Sequence, residues 1–245
     1  MSNLPTLAKG PVLLPGTFNK DAIVFIDAEV SPETGQIVDL GACRADGRFF
    51  HSSNVAAFKE FCKGADFVCG HNIVAFDMQY LRPVLGDGPQ AVDTLPLSAL
   101  LFPRKRFHNL LKDEKLLTDE LNNPLSDARK AMALFEEEVA AFNELPGVLQ
   151  RLFCAMLKNR PEFAGFFRCL NVQTPTFADP AGVIKRLMAD KLCIHADLDG
   201  LAKRQPAELA YALDFIRAAE PADVIPPWEI GRAHVRTPVT RLNLV

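Results

Sequence analysis

Apolar and polar positions follow a β-strand pattern along the first part of the chain. Ala22–Glu29 is a run of apolar and β-branched residues that ends in acidic positions, which predicts a buried strand. Gln36–Arg44 and Arg48–His51 flank an Asp46–Gly47 pair, which is typical of a tight hairpin turn because both residues tolerate positive φ. The pattern therefore predicts that a sheet opens with an antiparallel meander.

From residue 55 onward the apolar spacing becomes helical and is interrupted by short apolar runs. The predicted helices are Val55–Lys63, Phe76–Leu85, Thr94–Leu101 and Leu125–Phe142, and the predicted short strands are Phe67–Cys69 and Ala91–Asp93. Strands that alternate with helices join a sheet in parallel. We therefore predict an α/β fold with a mixed sheet, an antiparallel meander followed by parallel strands, flanked by helices.

Beyond residue 145 the sequence no longer has strand patterns. Helical spacing recurs in Leu149–Leu157, Ala181–Ala189, Leu198–Lys203 and Ala207–Ala219, with prolines between the segments. We place a domain boundary near Leu145–Pro146, so that residues 1–145 form the α/β domain and residues 146–228 an all-α extension. Glu229–Thr240 resembles a translated sequencing-adapter oligonucleotide, and we expect residues 229–245 to be a non-native tail.

Composition narrows the class of protein without naming a function. The chain is 49% hydrophobic and 23% charged, which is ordinary for a globular protein, and its net charge of -3 argues against a broadly basic surface. Its six cysteines form no C-x-x-C pair, and there is neither an apolar signal core nor an 18-residue apolar run. We expect a cytoplasmic protein with reduced thiols that does not enter a membrane.

Four acidic residues stand where this architecture would bring side chains together. Asp27 and Glu29 end the first strand and point to the same face, because strand residues two apart share a face. Carboxylates held this close repel unless a cation lies between them, and a hard divalent metal prefers such oxygen ligands. Asp77 and Asp127 each begin a predicted helix. The alternatives are solvated acids at a strand end and two helix caps.

The order of these residues carries a resemblance to a known family. D-x-E at Asp27–Glu29, G-H-N…F-D at Gly70–Asp77 and D-A at Asp127–Ala128 occur in turn, with D-T-L-x-L-S-x-L-L-F-P at Asp93–Pro103. Over about residues 23–142 the chain resembles the DEDD 3′–5′ exonucleases of the ribonuclease H-like superfamily.

The resemblance implies a fold, an activity and a ligand set. The fold is a ribonuclease H-like mixed sheet, and the activity is hydrolysis of phosphodiester bonds at nucleic-acid 3′ ends. Two ions of Mg²⁺ or Mn²⁺, about 3.5–4 Å apart in such sites, generate a hydroxide and stabilise the leaving oxygen. The implied metal ligands are Asp27, Glu29, Asp77 and Asp127; the implied substrate contacts are the Ala28 backbone, His71 and Asn72.

One position departs from the family pattern. The family has a histidine five residues before the last aspartate, or a tyrosine four before, which positions the attacking water; here these positions are Asn122 and Asn123. Asparagine can hold a water but cannot accept its proton at neutral pH. The chain is then either a working exonuclease or a catalytically weakened nucleic-acid-binding or docking module. His108 is a candidate substitute base or a surface histidine.

The remaining features concern partners. Arg104, Lys105 and Arg106 form a dense basic run, which is either a solvated loop or a contact for substrate phosphates. The expected substrate is the single-stranded 3′ end of DNA, with RNA as an alternative. Asp113–Ala128 and the all-α extension resemble the exonuclease-like N-terminal region of some bacterial RecQ-like helicases. The 245 residues contain no P-loop, so they are not expected to include a helicase motor. From the resemblance and the predicted non-native tail, we expect that a helicase domain followed in an untruncated protein.

Overall fold

The computed structural model describes residues 19–110, 123–172, 179–188, 191–193 and 195–219. Asn122 and the predicted tail at residues 229–245 therefore lie outside the described residues. The described chain divides into two compact units, one formed by residues 19–98, 107–110 and 123–172, the other by residues 99–106, 179–188, 191–193 and 195–219. The boundary predicted near Leu145–Pro146 falls within the first unit.

The first unit is built on a mixed five-stranded sheet with the order β3-β2-β1-β4-β5. Its strands are β1 (Ile23–Val30), β2 (Ile37–Cys43), β3 (Phe49–His51), β4 (Phe67–Gly70) and β5 (Gln90–Asp93). β1 pairs with β2, and β2 with β3, in antiparallel fashion, whereas β4 joins β1 and β5 joins β4 in parallel. The predicted meander followed by parallel strands is confirmed.

One set of helices packs against the sheet of the first unit, and the described elements of the second unit are also helices. In chain order they are α1 (Val55–Cys62), α2 (Met78–Leu85), α3 (Thr94–Leu101), α4 (Pro124–Glu144), α5 (Gly147–Leu157), α6 (Pro161–Cys169), α7 (Pro180–Leu187), α8 (Leu198–Arg204) and α9 (Pro206–Ala218). Helices α7, α8 and α9 belong to the second unit, and α3 runs from the first unit into the second. Within the described residues no helix is both long and apolar enough to cross a membrane.

The central strand β1 is buried on both faces. Val24 and Ile26 point into an apolar core that also contains Phe58 of α1 and Leu81 of α2. On the other face, the Phe25 ring lies 5.8 Å from that of Phe135 in α4. This double burial explains why the β1 segment is apolar at consecutive positions, a pattern typical of a strand covered by helices on both sides.

Helix α6 is an element that the apolar pattern did not predict. Pro161 occupies its first turn, where proline is well tolerated because the missing N–H has no intrahelical partner. The ring of Phe166 packs edge-on against Phe142 of α4, with centroids 5.3 Å apart. The sequence pattern predicts a break between helices at Pro161, whereas in the structure Pro161 begins a helix.

Candidate metal centre

The C-terminal half of β1 presents the first two acids of the site. Asp27 lies opposite Gly41 of β2, and Glu29 lies opposite Asp39, so the two acids share one face of the sheet. The register shifts between Glu29 and Val30, immediately after the pair. Such an irregularity bends the strand and ends the regular ladder at the acids.

A tight loop after β4 brings Asp77 to the same strand end. The buried Asp93 carboxylate holds this loop by accepting three backbone N–H groups, from Asn72 at 2.9 Å and from Val74 and Leu95 at 3.0 Å each. Asn72 adopts a positive φ of 62°, a conformation that asparagine tolerates better than most residues. The Ala28 N–H then donates to Asp77 Oδ1 at 3.2 Å, which ties the loop to β1 between Asp27 and Glu29.

Helix α4 supplies the fourth acid from its first turn. Its N-cap is Asn123, whose side chain accepts from the Ser126 N–H at 3.1 Å. Asp127 lies one residue further along the chain, and Lys130 donates to its Oδ1 at 3.2 Å. The beginning of α4 lies directly on β2, because a Cβ at Gly41 would overlap the backbone of Pro124 and Leu125.

The electrostatics show that the four acids act on one another. Burial raises the pKa of Asp27 from 3.8 to about 8, and the negative charges of Asp77, Asp127 and Glu29 add to that increase in this order. Burial also raises the pKa of Asp77 to about 7, although hydrogen bonds from the backbone of Ala28 and of Asp77 itself oppose the change. The other three predicted acids therefore lie close enough to Asp27 for their charges to disfavour its ionisation.

The helix-cap alternative does not account for Asp77 or Asp127. Asp77 makes no side-chain capping bond although it occupies the N-cap position of α2, and the capping residue of α4 is Asn123 rather than Asp127. Asp77 is only 4% exposed, whereas Asp27 and Glu29, to which the alternative of solvated acids applies, are half-buried at the strand end.

The chemistry of the donors fits a hard divalent cation. All of the converging side chains are carboxylates, the ligands that a hard divalent cation prefers, and burial together with neighbouring negative charges raises the pKa of Asp27 and Asp77. In the described residues, no three His, Cys, Asp or Glu side chains are already arranged around one point as a metal site. The Ala28 N–H bonds Asp77, and the Lys130 ammonium bonds Asp127.

The two candidate histidines, His71 and His108, each contact a hydroxyl side chain. The ring of His71 is half-buried and its Nδ1 lies 2.9 Å from Thr94 Oγ1; burial lowers its pKa to about 4, against the effect of Asp127, so the ring is neutral at pH 7. His108 is also half-buried, with Nδ1 3.0 Å from Ser98 Oγ. His71 thus has the contacts of a structural residue. A water-activating role for His108 stays a prediction.

The predicted substrate contacts fall into two groups. The Ala28 and Asn72 N–H groups are engaged by Asp77 and Asp93, and their contact with a nucleotide stays a prediction. The basic run belongs to the second unit, where Arg104 donates to the Ala218 carbonyl at 3.1 Å and Lys105 Nζ lies 4.1 Å from the Phe102 ring centroid. Arg106 is exposed.

Two residues that position the site were not singled out from the sequence. Gly41 allows α4 to approach β2, and its signal was an isolated glycine inside a strand, which often marks close approach of another backbone. Asp93 organises the loop that carries Asp77, and its signal was an acid directly after a short buried strand. Both act through contacts between distant segments, which the local pattern does not reveal.

Comparison with known proteins adds no assignment to this geometry. No protein-family model, no curated protein and no solved structure matches the chain.

Proposed function

We propose that the first unit is a metal-dependent 3′–5′ exonuclease that hydrolyses phosphodiester bonds at nucleic-acid 3′ ends, with DNA as the expected substrate and repair or replication as its setting. The observation that carries the proposal is the convergence of Asp77, Asp127 and Glu29 on Asp27, whose pKa their charges help to raise. The mixed sheet, with its meander followed by parallel strands, agrees with the ribonuclease H-like fold that the motifs imply. Both the fold family and the activity are our inference from these features.

The residues of this chain would divide the work as follows. Asp27, Glu29, Asp77 and Asp127 would hold two Mg²⁺ or Mn²⁺ ions. When bound, such ions lower the pKa of water and offset charge on a phosphate. Asp93 keeps the loop that bears Asp77 in place, and Gly41 allows the first turn of α4 to deliver Asp127. The bonds from Ala28 to Asp77 and from Lys130 to Asp127 hold the acids in position without metal, and we expect the Lys130 bond to yield when a dication competes for the carboxylate.

The test is a nuclease assay on a single-stranded oligonucleotide labelled at its 5′ end, so that stepwise shortening from the 3′ end appears as a ladder. We expect shortening in Mn²⁺ or Mg²⁺, and its loss in EDTA and in Asp27→Ala. The matched control is Asp87→Ala, since Asp87 is an exposed acid that makes no bond within the described chain. Shortening that survives EDTA or Asp27→Ala would exclude this mechanism.

A second function is favoured by the capping bond of Asn123. Its side-chain oxygen accepts from the Ser126 N–H, so the residue at the position where the family has tyrosine serves as the cap of α4. A chain without a water-positioning group would retain the fold and bind nucleic acid as a docking module, for example beside a helicase. Asn122→His distinguishes the two functions, because a strong gain in cleavage is expected only of an impaired nuclease. Unchanged cleavage with tight binding to 3′ ends supports docking.

RNA remains the alternative substrate, because four carboxylates do not distinguish a 2′-hydroxyl by themselves. Matched DNA and RNA oligonucleotides in the same assay decide between them. Faster shortening of RNA would overturn the DNA assignment while leaving the metal chemistry in place.

A further inference from the structure

A pocket of about 270 Å³ lies on the first unit between α2, the turn after it, the beginning of β5 and α6. Its lining extends from Val74 and Met78, in the segment that carries Asp77, to Gln90 at the beginning of β5. In the parallel registers, Gln90 of β5 is level with Phe67 of β4 and Ile23 of β1. Asp27 lies four residues further along β1, which is about 13 Å along the strand direction. The Gln90 end of the pocket is therefore remote from Asp27.

Backbone contacts fix the walls of this pocket. A Cβ at Gly165 would overlap the Ala91 carbonyl, so the absence of a side chain lets α6 lie directly against β5. On the other side, α2 ends at Gly86, whose φ of 73° turns the chain toward β5. Because both walls are set by backbone and not by long side chains, the pocket is a feature of the fold.

Apolar and charged residues both line the pocket. Val74, Met78 and Ala164 are apolar parts of the lining, Arg82 and Arg168 line it from one helix each, and Asp87 lies in the turn after α2. Met78 is buried, whereas both arginines are exposed. A ligand that suits this lining has a flat or apolar body and an anionic end.

The two arginines differ from others in the same chain. Arg48, Arg160 and Arg217 each bond a carboxylate, at 2.6–2.9 Å. In the described part of the chain, neither Arg82 nor Arg168 makes an ion pair or a side-chain hydrogen bond. Two guanidinium groups at one pocket match the charge and the bidentate geometry of a terminal phosphate.

We propose that this pocket binds a nucleoside monophosphate, with Arg82 and Arg168 on the phosphate and the apolar wall against the base. Gln90, which also lines the pocket, supplies an amide for sugar hydroxyls and base edges. The volume lies just below the range of about 300–1,000 Å³ for drug-sized ligands, which suits a mononucleotide better than a nucleic-acid strand. The proposal uses none of the acidic cluster of Asp27, Glu29, Asp77 and Asp127, and it does not rest on the function proposed for that cluster.

Calorimetric titration with adenosine 5′-monophosphate tests the proposal, using the full chain in EDTA and low salt. EDTA removes metals, so the carboxylates of the acidic cluster repel the phosphate and do not contribute binding. Wild-type protein is expected to bind the probe, and Arg82→Gln and Arg168→Gln to weaken binding about tenfold or more each, since each removes charge-assisted bonds to phosphate. Arg186→Gln, at an exposed arginine of α7, is the matched control and is expected to bind as wild type does.

Two comparison ligands define what is recognised. Adenosine, which lacks the phosphate, and inorganic phosphate, which lacks the base, are each expected to bind at least about tenfold more weakly than the monophosphate. Inorganic phosphate that binds equally well would overturn the nucleotide assignment. Binding that is unaffected by both arginine variants would overturn the site. Oligonucleotide binding that depends on both arginines, without mononucleotide binding, would replace the proposal with a strand-binding surface.

Thermal unfolding of each variant completes the experiment. Both arginines are exposed and bond no other side chain in the described residues, so the variants are expected to melt within about 2 °C of wild type, as surface substitutions usually do. A loss of nucleotide binding is then a loss of the site and not of the fold.

Discussion

Asp27 is the acid whose pKa is raised by the charges of Asp77, Asp127 and Glu29 in addition to its burial. It lies on a strand between two neighbours, and three other carboxylates act on it from β1, α2 and α4. Each neighbour makes its ionised form less favourable in the absence of a cation. In the proposed site, the same carboxylates would supply oxygen ligands to a divalent ion, so the feature that destabilises the metal-free site is the one that would favour metal binding.

The first prediction concerns the pH dependence of stability in the metal-free protein. The folded-state pKa of Asp27 is about 8, above the ordinary 3.8, so the folded protein retains a proton that the unfolded chain loses at lower pH. The stability from this group is fully present below about pH 4 and is lost as the pH rises through 8. Asn at position 27 does not ionise, so Asp27→Asn does not lose stability as the pH rises. We expect its free energy of unfolding to exceed that of wild type by about 1–2 kcal/mol at pH 9, after allowance for partial exposure.

Urea unfolding in EDTA, at several pH values between 5 and 9, measures this difference in the free energy of unfolding. Asp87→Asn is the control, because Asp87 is exposed and lies outside the cluster. If the free energies of unfolding of Asp27→Asn and of wild type differ by the same amount at every pH in this range, the charge of Asp27 is already balanced. The electrostatic account of the cluster is then wrong.

The second prediction concerns Asp93. Asparagine at this position keeps one acceptor oxygen and replaces the other with a donor, so at least one of the N–H groups from Asn72, Val74 and Leu95 loses its partner. We expect Asp93→Asn to lower the free energy of unfolding by about 1–3 kcal/mol, the usual cost of an unsatisfied buried polar group. Metal-dependent cleavage is expected to fall further than stability explains, because the loop that carries Asp77 is loosened. Cleavage at the wild-type rate would show that the loop does not need this anchor.

At the scale of elements, the beginning of α4 and the middle of β2 are in direct contact. Gly41 pairs with Asp27 of the neighbouring strand β1. The backbone of Pro124 and Leu125, at the beginning of α4, lies directly against Gly41. The position of Asp127 therefore depends on a residue that is remote in sequence and carries no functional group. This contact links the packing of a helix on a sheet to the geometry of the acidic cluster.

The third prediction follows from that contact. Gly41→Ala forces the first turn of α4 away from β2, and we expect a loss of about 1–3 kcal/mol in the free energy of unfolding, as for other overpacked sites. We also expect weaker metal binding, because Asp127 moves with the helix. Gly88→Ala is the matched control, since a Cβ there meets no atom within 4 Å. Equal effects of the two substitutions would show that α4 does not rest on Gly41.

The periodic pattern was sufficient for the strands and for most helices, and insufficient where contacts are remote. β1 was predicted because its apolar residues follow one another without a break, and α4 because its apolar residues recur at helical spacing. Helix α6 was missed because Pro161 has the same appearance at the start of a helix as in a break. The four acids were predicted from the order of their motifs, whereas Gly41 and Asp93 became apparent only once distant backbone segments were in place.

At the scale of the molecule, the charge distribution sets how nucleic acid would be held. The net charge is -3, so a polyanion is not attracted by the chain as a whole and needs local cations. Lys105 and Arg106 of the basic run are exposed. If they contact substrate phosphates, binding depends on salt.

The fourth prediction concerns that salt dependence. We expect the double variant Lys105→Gln, Arg106→Gln to bind single-stranded DNA more weakly and to reduce the slope of log affinity against log salt by about 1.4, or 0.7 for each lost phosphate contact. Fluorescence anisotropy over a range of salt concentrations measures the slope. The variant Lys185→Gln, Arg186→Gln changes the net charge equally, at exposed positions of α7, and is expected to keep the wild-type slope. If both double variants give the same slope of log affinity against log salt, the basic run is a solvated loop.

We propose that Asp27, Glu29, Asp77 and Asp127 form a two-metal site. Direct titration with Mn²⁺ tests this site without any substrate. Free Mn²⁺, followed by its electron paramagnetic resonance signal, gives the number of ions bound and their affinity. We expect two ions per chain for wild type and the loss of at least one in Asp27→Asn, with Asp87→Asn binding as wild type does. Wild type and Asp27→Asn that bind the same number of ions with the same affinity would contradict the account.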